Sequence, residues 1–334
     1  MDPNHFFLLG AAKSGTTSLY SSLNQHPDLH MTPTKEPQFF QLDREYEKGL
    51  DFYHEKYFEG HGDESIFGDA AHRHLYLPWI PDRILELLPE AKFAVILRNP
   101  VDRAYSHYWH WRRSGRPNTE SEPFDRAIYQ DYLRIKAGYR HRTEEEKQLY
   151  QDHLTDMSLG LYRTYLDSGY YHEQIKRYTD RVGRDRLKVV FFRDYIEDPS
   201  AVCNELFEFL KLSPYDIEQE HQTHGFVPRS DLAQALFSRG RSLAESLGVY
   251  EWIPYSFQTM IRSLNEADKT KESMSTLTRD WLSRHYEEHN NRLEQFLSID
   301  LDHWSCPPDA TDWTPVRRDV FGPSSESNQR FDRS

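Results

Sequence analysis

The chain opens with an apolar run, Phe6-Phe7-Leu8-Leu9, and then a turn of small residues, Gly10-Ala11-Ala12-Lys13-Ser14-Gly15. Thr16–Leu23 follows with Leu19 and Leu23 at i, i+4. This order predicts a short buried strand, a loop and a helix, which the polar stretch Asn24–Asp28 stops. A second unit is sharper. Pro81–Leu88 puts Ile84, Leu85 and Leu88 on one helical face, and Pro89-Glu90-Ala91 is its exit. Lys92–Leu97 then reads as a strand apolar on both faces, as central parallel strands are. It ends at Arg98-Asn99-Pro100, and Val101–Arg112 starts a new helix. A third unit has a helix over Tyr170–Val182, a strand over Arg186–Phe192 and, after Asp198-Pro199, a helix over Ser200–Leu210. Alternation of this kind argues for an α/β fold in which helices flank a parallel sheet.

The intervening stretch Arg112–Leu159 is charged and strand-free. It reads as a helical insertion or lid, with Glu144-Glu145-Glu146 as a solvated face. Thr276–Leu297 is a further helix marked by Leu277, Trp281, Leu282 and Leu293. Periodicity is lost over Thr314–Ser334, so residues 1–313 are expected to form one domain and residues 314–334 a disordered tail. Of 334 residues, 37% are hydrophobic and 14% aromatic, which implies a core rich in rings. No run approaches the roughly 20 apolar residues of a membrane span, and the first residues lack the pattern of a signal peptide. The two cysteines, Cys203 and Cys306, suit a reducing compartment, and a cytoplasmic location is expected. A net charge of −13 argues against a nucleic acid polymer as partner. It leaves room for a small anion held by a few local cations. The sequence sets no oligomeric state.

The first unit is built to hold such an anion. In a strand–Gly-x-x-Lys-Ser-Gly-Thr-Thr-Ser–helix arrangement, backbone N–H groups converge at a helix N-terminus and Lys13 adds a full charge. Hydroxyls of Ser14, Thr16, Thr17 and Ser18 add donors. The nucleotide triphosphatase loop differs, because its lysine follows the last glycine and the next Ser or Thr holds magnesium. Here Lys13 precedes Gly15, and the best central strand ends in Arg98 rather than in a metal-holding aspartate. The loop therefore points to a phosphate bound without metal. A kinase-like phosphotransferase is the alternative, and a nucleotide sensor without activity is a third reading.

Gly10–Leu19 resembles the 5′-phosphosulfate loop of sulfotransferases that use 3′-phosphoadenosine 5′-phosphosulfate (PAPS). Arg98-Asn99-Pro100-Val101-Asp102-Arg103-Ala104-Tyr105-Ser106-His107-Tyr108 resembles their 3′-phosphate motif. Lys35-Glu36-Pro37-Gln38-Phe39-Phe40 is similar to the Lys-Glu-Pro-x-Phe-Phe block of the heparan and related carbohydrate enzymes. Arg193–Pro199 and the Trp281…His289-Asn290…Leu293 helix with Asp300-Leu301…Trp304 resemble bacterial-type members. The resemblance implies a P-loop-like parallel sheet with helical insertions, PAPS as co-substrate and no metal. It also implies a hydroxyl or amine acceptor, first a carbohydrate or glycolipid and next a small hydroxyl compound such as an alcohol or phenol.

Family roles then fall on positions of this chain. The resemblance gives Lys13 the charge that stabilises the bridging oxygen, and gives Gly15, Thr16 and Thr17 the 5′-phosphate, with Ser14 and Ser18 beside them. Arg98 and Ser106 would hold the 3′-phosphate and Phe192 the adenine. Lys269-Thr270-Lys271 or Arg229 would complete the nucleotide site. Two residues compete as base. Glu36 matches the catalytic glutamate of the heparan enzymes and is preferred. His72, in Gly68-Asp69-Ala70-Ala71-His72-Arg73-His74, stands where the cytosolic phenol and steroid enzymes carry a histidine, although Ala70 replaces their lysine. Asp69 orients a base, touches the acceptor or simply ends a strand. Arg112, Arg113 and Arg116, beyond the core-facing Ala104, Tyr108 and Trp111, are positions where an anionic or sugar acceptor would be met.

Overall fold

The computed structural model describes residues 4–60, 66–113, 120–153, 163–218 and 273–304. Five strands, β1 (Asn4–Leu8), β2 (Leu29–Met31), β3 (Ile66–Ala70), β4 (Lys92–Leu97) and β5 (Leu187–Phe191), form one parallel sheet in the order β2-β3-β1-β4-β5. The chain winds to one side of β1 and then to the other, so the strand order reverses between β1 and β4. In open α/β sheets that reversal creates a crevice at the carboxyl ends of the two strands. Pairing continues past β1: Leu9 N–H donates to Ala94 O, and Ala11 N–H to Ile96 O, each at 2.9 Å. The Gly10–Gly15 loop is thereby held beside the end of β4, which leads into Arg98.

Twelve helices are described: α1 (Thr16–Leu23), α2 (Asp43–Tyr46), α3 (Gly49–Phe58), α4 (Arg73–Tyr76), α5 (Ile80–Leu87), α6 (Pro100–Arg112), α7 (Phe124–Lys136), α8 (Glu144–His153), α9 (Tyr171–Val182), α10 (Phe192–Glu197), α11 (Pro199–Leu210) and α12 (Thr276–Leu297). Successive strand residues point to opposite faces. Phe7, Leu9, Phe93 and Val95 join a ring-rich core against α3, α5 and α9. Phe6, Leu8, Ala94 and Ile96 face α1 and α11. A third core packs the insertion onto α6: Ala104, Tyr108 and Trp111 meet Phe124, Ile128, Leu282 and Tyr286. The expected aromatic core and helix-flanked sheet are both present. Among the described residues, no helix is long and apolar enough to cross a membrane.

Some local expectations are corrected. Phe192 opens α10 rather than ending β5. Glu144 and Glu145 are exposed, but Glu146 is buried. Its carboxylate accepts from the N–H groups of Arg140, Arg142 and Thr143, and the Thr143 hydroxyl accepts from Glu146 N–H. This is a capping box at the start of α8, so the acidic run is only partly a solvated face. Arg116, Arg229, Lys269-Thr270-Lys271, Cys306 and the Thr314–Ser334 tail lie outside the described residues.

Candidate active site

The loop after β1 turns sharply into α1. Gly15, at φ 89°, occupies the N-cap position, and no side chain caps the helix. The first N–H groups of α1 are therefore left for a ligand or water. Gly15 is required on two grounds: its φ lies in the left-handed region, and an added Cβ would sit 2.7 Å from the Phe192 ring. Lys13 also has positive φ, 65°, a conformation that costs a non-glycine residue roughly 1 kcal/mol. Its Nζ lies 3.4 Å from His110 Nδ1 on α6. Thr17 is exposed and Ser18 half-buried on the first turn, while Thr16 is buried. Ser14 departs from expectation. It is fully buried beside Tyr171, and its N–H closes a turn onto Ala11 O at 3.2 Å.

The end of β4 supplies the second cation. Asn99 caps α6 by accepting from Val101 N–H at 2.9 Å, and Pro100 fits the first helical turn. This fixes the elbow at Arg98. Its Nη1 donates to Lys13 O at 3.2 Å, and its guanidinium lies 4.8 Å from the Phe192 ring centroid. The Tyr171 hydroxyl donates to Arg98 O at 2.8 Å. Burial holds Arg98 below its ordinary pKa, with nearby Asp102 opposing the effect. Half-buried Ser106 stands in the second turn of α6. Lys13, Arg98, Gly15 and Phe192 thus meet at the crevice.

The two candidate bases also meet. Glu36 N–H donates to Ala70 O at 3.0 Å, carrying the segment after β2 alongside the end of β3. His72 follows two residues later, and Gly10 packs 3.2 Å (as a virtual Cβ) from His72 O. His72 Nδ1 lies 2.8 Å from Glu36 Oε1, which also accepts from Lys35 Nζ at 2.9 Å. Burial alone would raise the Glu36 carboxyl, but His72 and Lys35 together hold it well below the usual range. Glu36 is therefore ionised at neutral pH and only accepts, so His72 Nδ1 donates, and whenever the ring is neutral its lone pair is on Nε2. The rivals of the sequence form one hydrogen-bonded pair.

A family profile described as the sulfotransferase domain matches residues 3–226. The chain belongs to the sulfotransferase family. The bifunctional heparan sulfate N-deacetylase/N-sulfotransferase 1 of Xenopus laevis is 25% identical over 295 residues. The homologous enzyme 3 of Homo sapiens is 25% identical over 300 residues. Each match covers 87% of this chain but only 29% of the relative. The crystal structure of a sulfotransferase from Alicyclobacillus acidocaldarius is similar with a TM-score of 0.61 and 26% identity, covering 91% of this chain and 99% of that one. Family membership sets aside the phosphotransferase alternative.

In this sulfotransferase a cleft leaves the phosphate loop along Ala11, Ala12 and His72 and reaches Tyr76 and Gln174. A second hollow shares Tyr76 and Gln174 with the first and is lined by Tyr170, Arg140, Arg142 and Arg177. Arg140 and Arg142 both pair with Glu173, and the Arg140 guanidinium lies over the Tyr170 ring. Arg112 and Arg113 are elsewhere: Arg112 Nη1 donates to Glu120 O, and Arg113 stacks on Trp109. The arginines lining this hollow thus come from the insertion and α9, and they share it with Glu173 and Asp167.

Asp69 does not reach the cleft. It is buried within β3, where its Oδ2 accepts from the Tyr53 hydroxyl at 2.9 Å. Buried His74 stands 3.9 Å from Oδ1, too far for a hydrogen bond. Burial pushes Asp69 up to about 8 and His74 down to about 3. Because its folded pKa is raised, Asp69 keeps a proton that the unfolded chain releases, and stability falls as pH rises from about 4 to about 8. Asp69→Asn keeps an acceptor for Tyr53 and removes this term. It is expected to raise the unfolding free energy by on the order of a few kcal/mol at pH 8 and less at pH 5. A loss of stability equal at both pH values in calorimetry would refute that account.

Proposed function

We propose that the enzyme transfers the sulfuryl group of PAPS to a hydroxyl or amine of a carbohydrate acceptor, with Glu36 and His72 acting as one unit. The observation that carries this reading is the Glu36–His72 hydrogen bond beside the Lys13 loop. His72, which lines the cleft, takes the acceptor proton at Nε2, while Glu36 holds the ring and stabilises the imidazolium. The acceptor oxygen or nitrogen bonds to sulfur, the bond from sulfur to the 5′-phosphate oxygen breaks, and 3′-phosphoadenosine 5′-phosphate (PAP) leaves. Lys13 neutralises charge growing on that oxygen. Direct proton transfer to Glu36 is the second reading. It is favoured by Glu36 Oε2, which has no hydrogen-bond partner among the described residues, but a carboxylate held so acidic is a weak base.

The carbohydrate acceptor is supported by the Lys-Glu-Pro-x-Phe-Phe block and by the heparan sulfate enzymes among the relatives. The arginines of the second hollow favour an acceptor bearing acidic groups. A screen of PAPS consumption over acidic and neutral sugars, glycolipids and phenols, with products weighed by mass spectrometry, tests the assignment. Turnover of phenols alone would overturn the carbohydrate reading.

The nucleotide assignment has its own test. Arg98→Ala is expected to weaken PAP binding by about 10- to 100-fold, the worth of a charge-assisted hydrogen bond, and adenosine 5′-phosphate binding only a few-fold. Calorimetric titration of both ligands reads the difference. Equal losses would remove Arg98 from the 3′-phosphate.

A further inference from the structure

Arg103 is the largest of the fully buried side chains, and its exposure is 0%. Its Nη2 donates to Tyr165 O, and the neutral Tyr286 phenol stands close to the guanidinium, while among the described residues Nε and Nη1 have no well-aligned hydrogen-bond partner. Among the described residues it forms no ion pair. The groups whose ionisation it biases include Arg98, His107, Tyr171 and Tyr286, while the buried Asp131 carboxylate, which accepts from Leu166 N–H across the Tyr165–Leu166 peptide, is paired with Arg134. Arg98, His107 and both phenols carry no compensating negative charge. Burial raises both phenols, and buried His107 is held well below its usual value while accepting from Trp111 Nε1 at 3.1 Å. A buried guanidinium left unpaired in this way is strongly destabilising.

The position of the charge suggests what balances it. Arg103 and Ser106 stand at i, i+3 on α6, on neighbouring positions of one helical face. Arg98 lies at the entrance to the same helix, the Tyr171 hydroxyl donates to Arg98 O, and the Arg103 charge is near enough to bias the Tyr171 phenol. On the far side Tyr171 meets Ser14 of the phosphate loop. We propose that Arg103 is a buried counter-charge for the nucleotide, matched by the 3′-phosphate held above it by Arg98 and Ser106. This rests on the PAPS reading above. The protein thereby carries an unbalanced charge when empty, and nucleotide binding relieves it through the low-dielectric core without direct contact. Arg103 is accordingly a positioning residue for charge and touches no reacting atom.

Three variants separate charge from hydrogen bonding and from packing. Arg103→Gln keeps a donor for Tyr165 O without the charge, Arg103→Lys keeps the charge, and Arg103→Met keeps volume alone. Unit charges about 10 Å apart in a medium of effective dielectric near 20 predict that Arg103→Gln weakens PAP binding about tenfold. Arg103→Lys should stay within about threefold, and adenosine 5′-phosphate should respond less than PAP in every variant. Without nucleotide, Arg103→Met is expected to melt at or above the wild-type temperature, and its PAP-induced rise in melting temperature should shrink. An Arg103→Gln protein that binds PAP as wild type does would overturn the counter-charge. So would an Arg103→Met protein that melts well below wild type yet keeps the full PAP-induced rise, since Arg103 would then be a packing group. A wild-type protein with no PAP-induced rise at all would instead overturn the PAPS reading beneath it.

Discussion

Replacing His72 by Ala is expected to lower kcat about 10³-fold and replacing Glu36 by Gln about 10²-fold, within the range of general-base contributions. The double variant should be no slower than His72→Ala alone. The reason is the shared hydrogen bond: Glu36 Oε1 and His72 Nδ1 are 2.8 Å apart, so neither group does its task without the other. Once the imidazole is gone, the carboxylate has nothing to orient, and a second substitution removes nothing more. PAP affinity should stay within about threefold in all three variants, because the pair touches the cleft and not the phosphates. The pH profile adds a constraint. Glu36 has its folded pKa depressed, so it remains ionised through the neutral range and loses its proton-accepting form only in strong acid. An acid limb in kcat near neutrality therefore belongs to the pair as a unit rather than to Glu36 alone. Were Glu36→Gln the more damaging change, or the two losses additive, the proton would pass directly to Glu36.

How far the sequence carried this picture differs from residue to residue, for physical reasons. Lys13 and Arg98 were legible because each follows an unmistakable apolar strand, and the strand order brings the two strand ends together. The Glu36–His72 pair was not, because the two residues belong to segments far apart in sequence that meet through the β2–β3 pairing and its continuation, Thr32 N–H on Gly68 O and Glu36 N–H on Ala70 O. Read separately, each was a candidate and the other a rival. β2 has only three residues, and β3 contains Gly68 and Asp69, both poor strand formers, so neither stands out by propensity. Gly68 is in β3 because Met31 fills the space a side chain would need: an added Cβ would lie 2.2 Å from the Met31 sulfur. Arg140, Arg142 and Arg177 look like solvated charges one at a time, and only the docking of the insertion against α9 brings them to one hollow, which they share with Glu173 and Asp167. One signal was present and unread. Thr143-x-x-Glu146 is a capping box, which would have taken Glu146 off the solvated face.

Lys13→Met is the sharper test of the chemistry, with an expected fall in kcat of about 10³-fold, the scale on which an oriented donor at a developing charge contributes. Lys13 sits in a loop held in place by the Ser14 N–H bond to Ala11 O and by the Arg98 contact to Lys13 O. Removing its ammonium therefore takes a charge from the 5′-phosphate oxygen without dismantling the cradle. PAP, which carries the departing oxygen already relieved of sulfur, should lose no more than about tenfold in affinity. The split between these two numbers is the decisive quantity. A group that binds ground state and transition state alike lowers affinity and turnover in proportion, whereas one that acts on growing charge lowers turnover further. Lys13→Arg should recover little, because the φ of 65° at this position and the nearby His110 ring fix where a compact ammonium ends, and a planar fork extends past that point. Equal losses in kcat and PAP affinity for Lys13→Met would reduce Lys13 to a binding residue and leave the departing oxygen to the N–H groups of α1 alone.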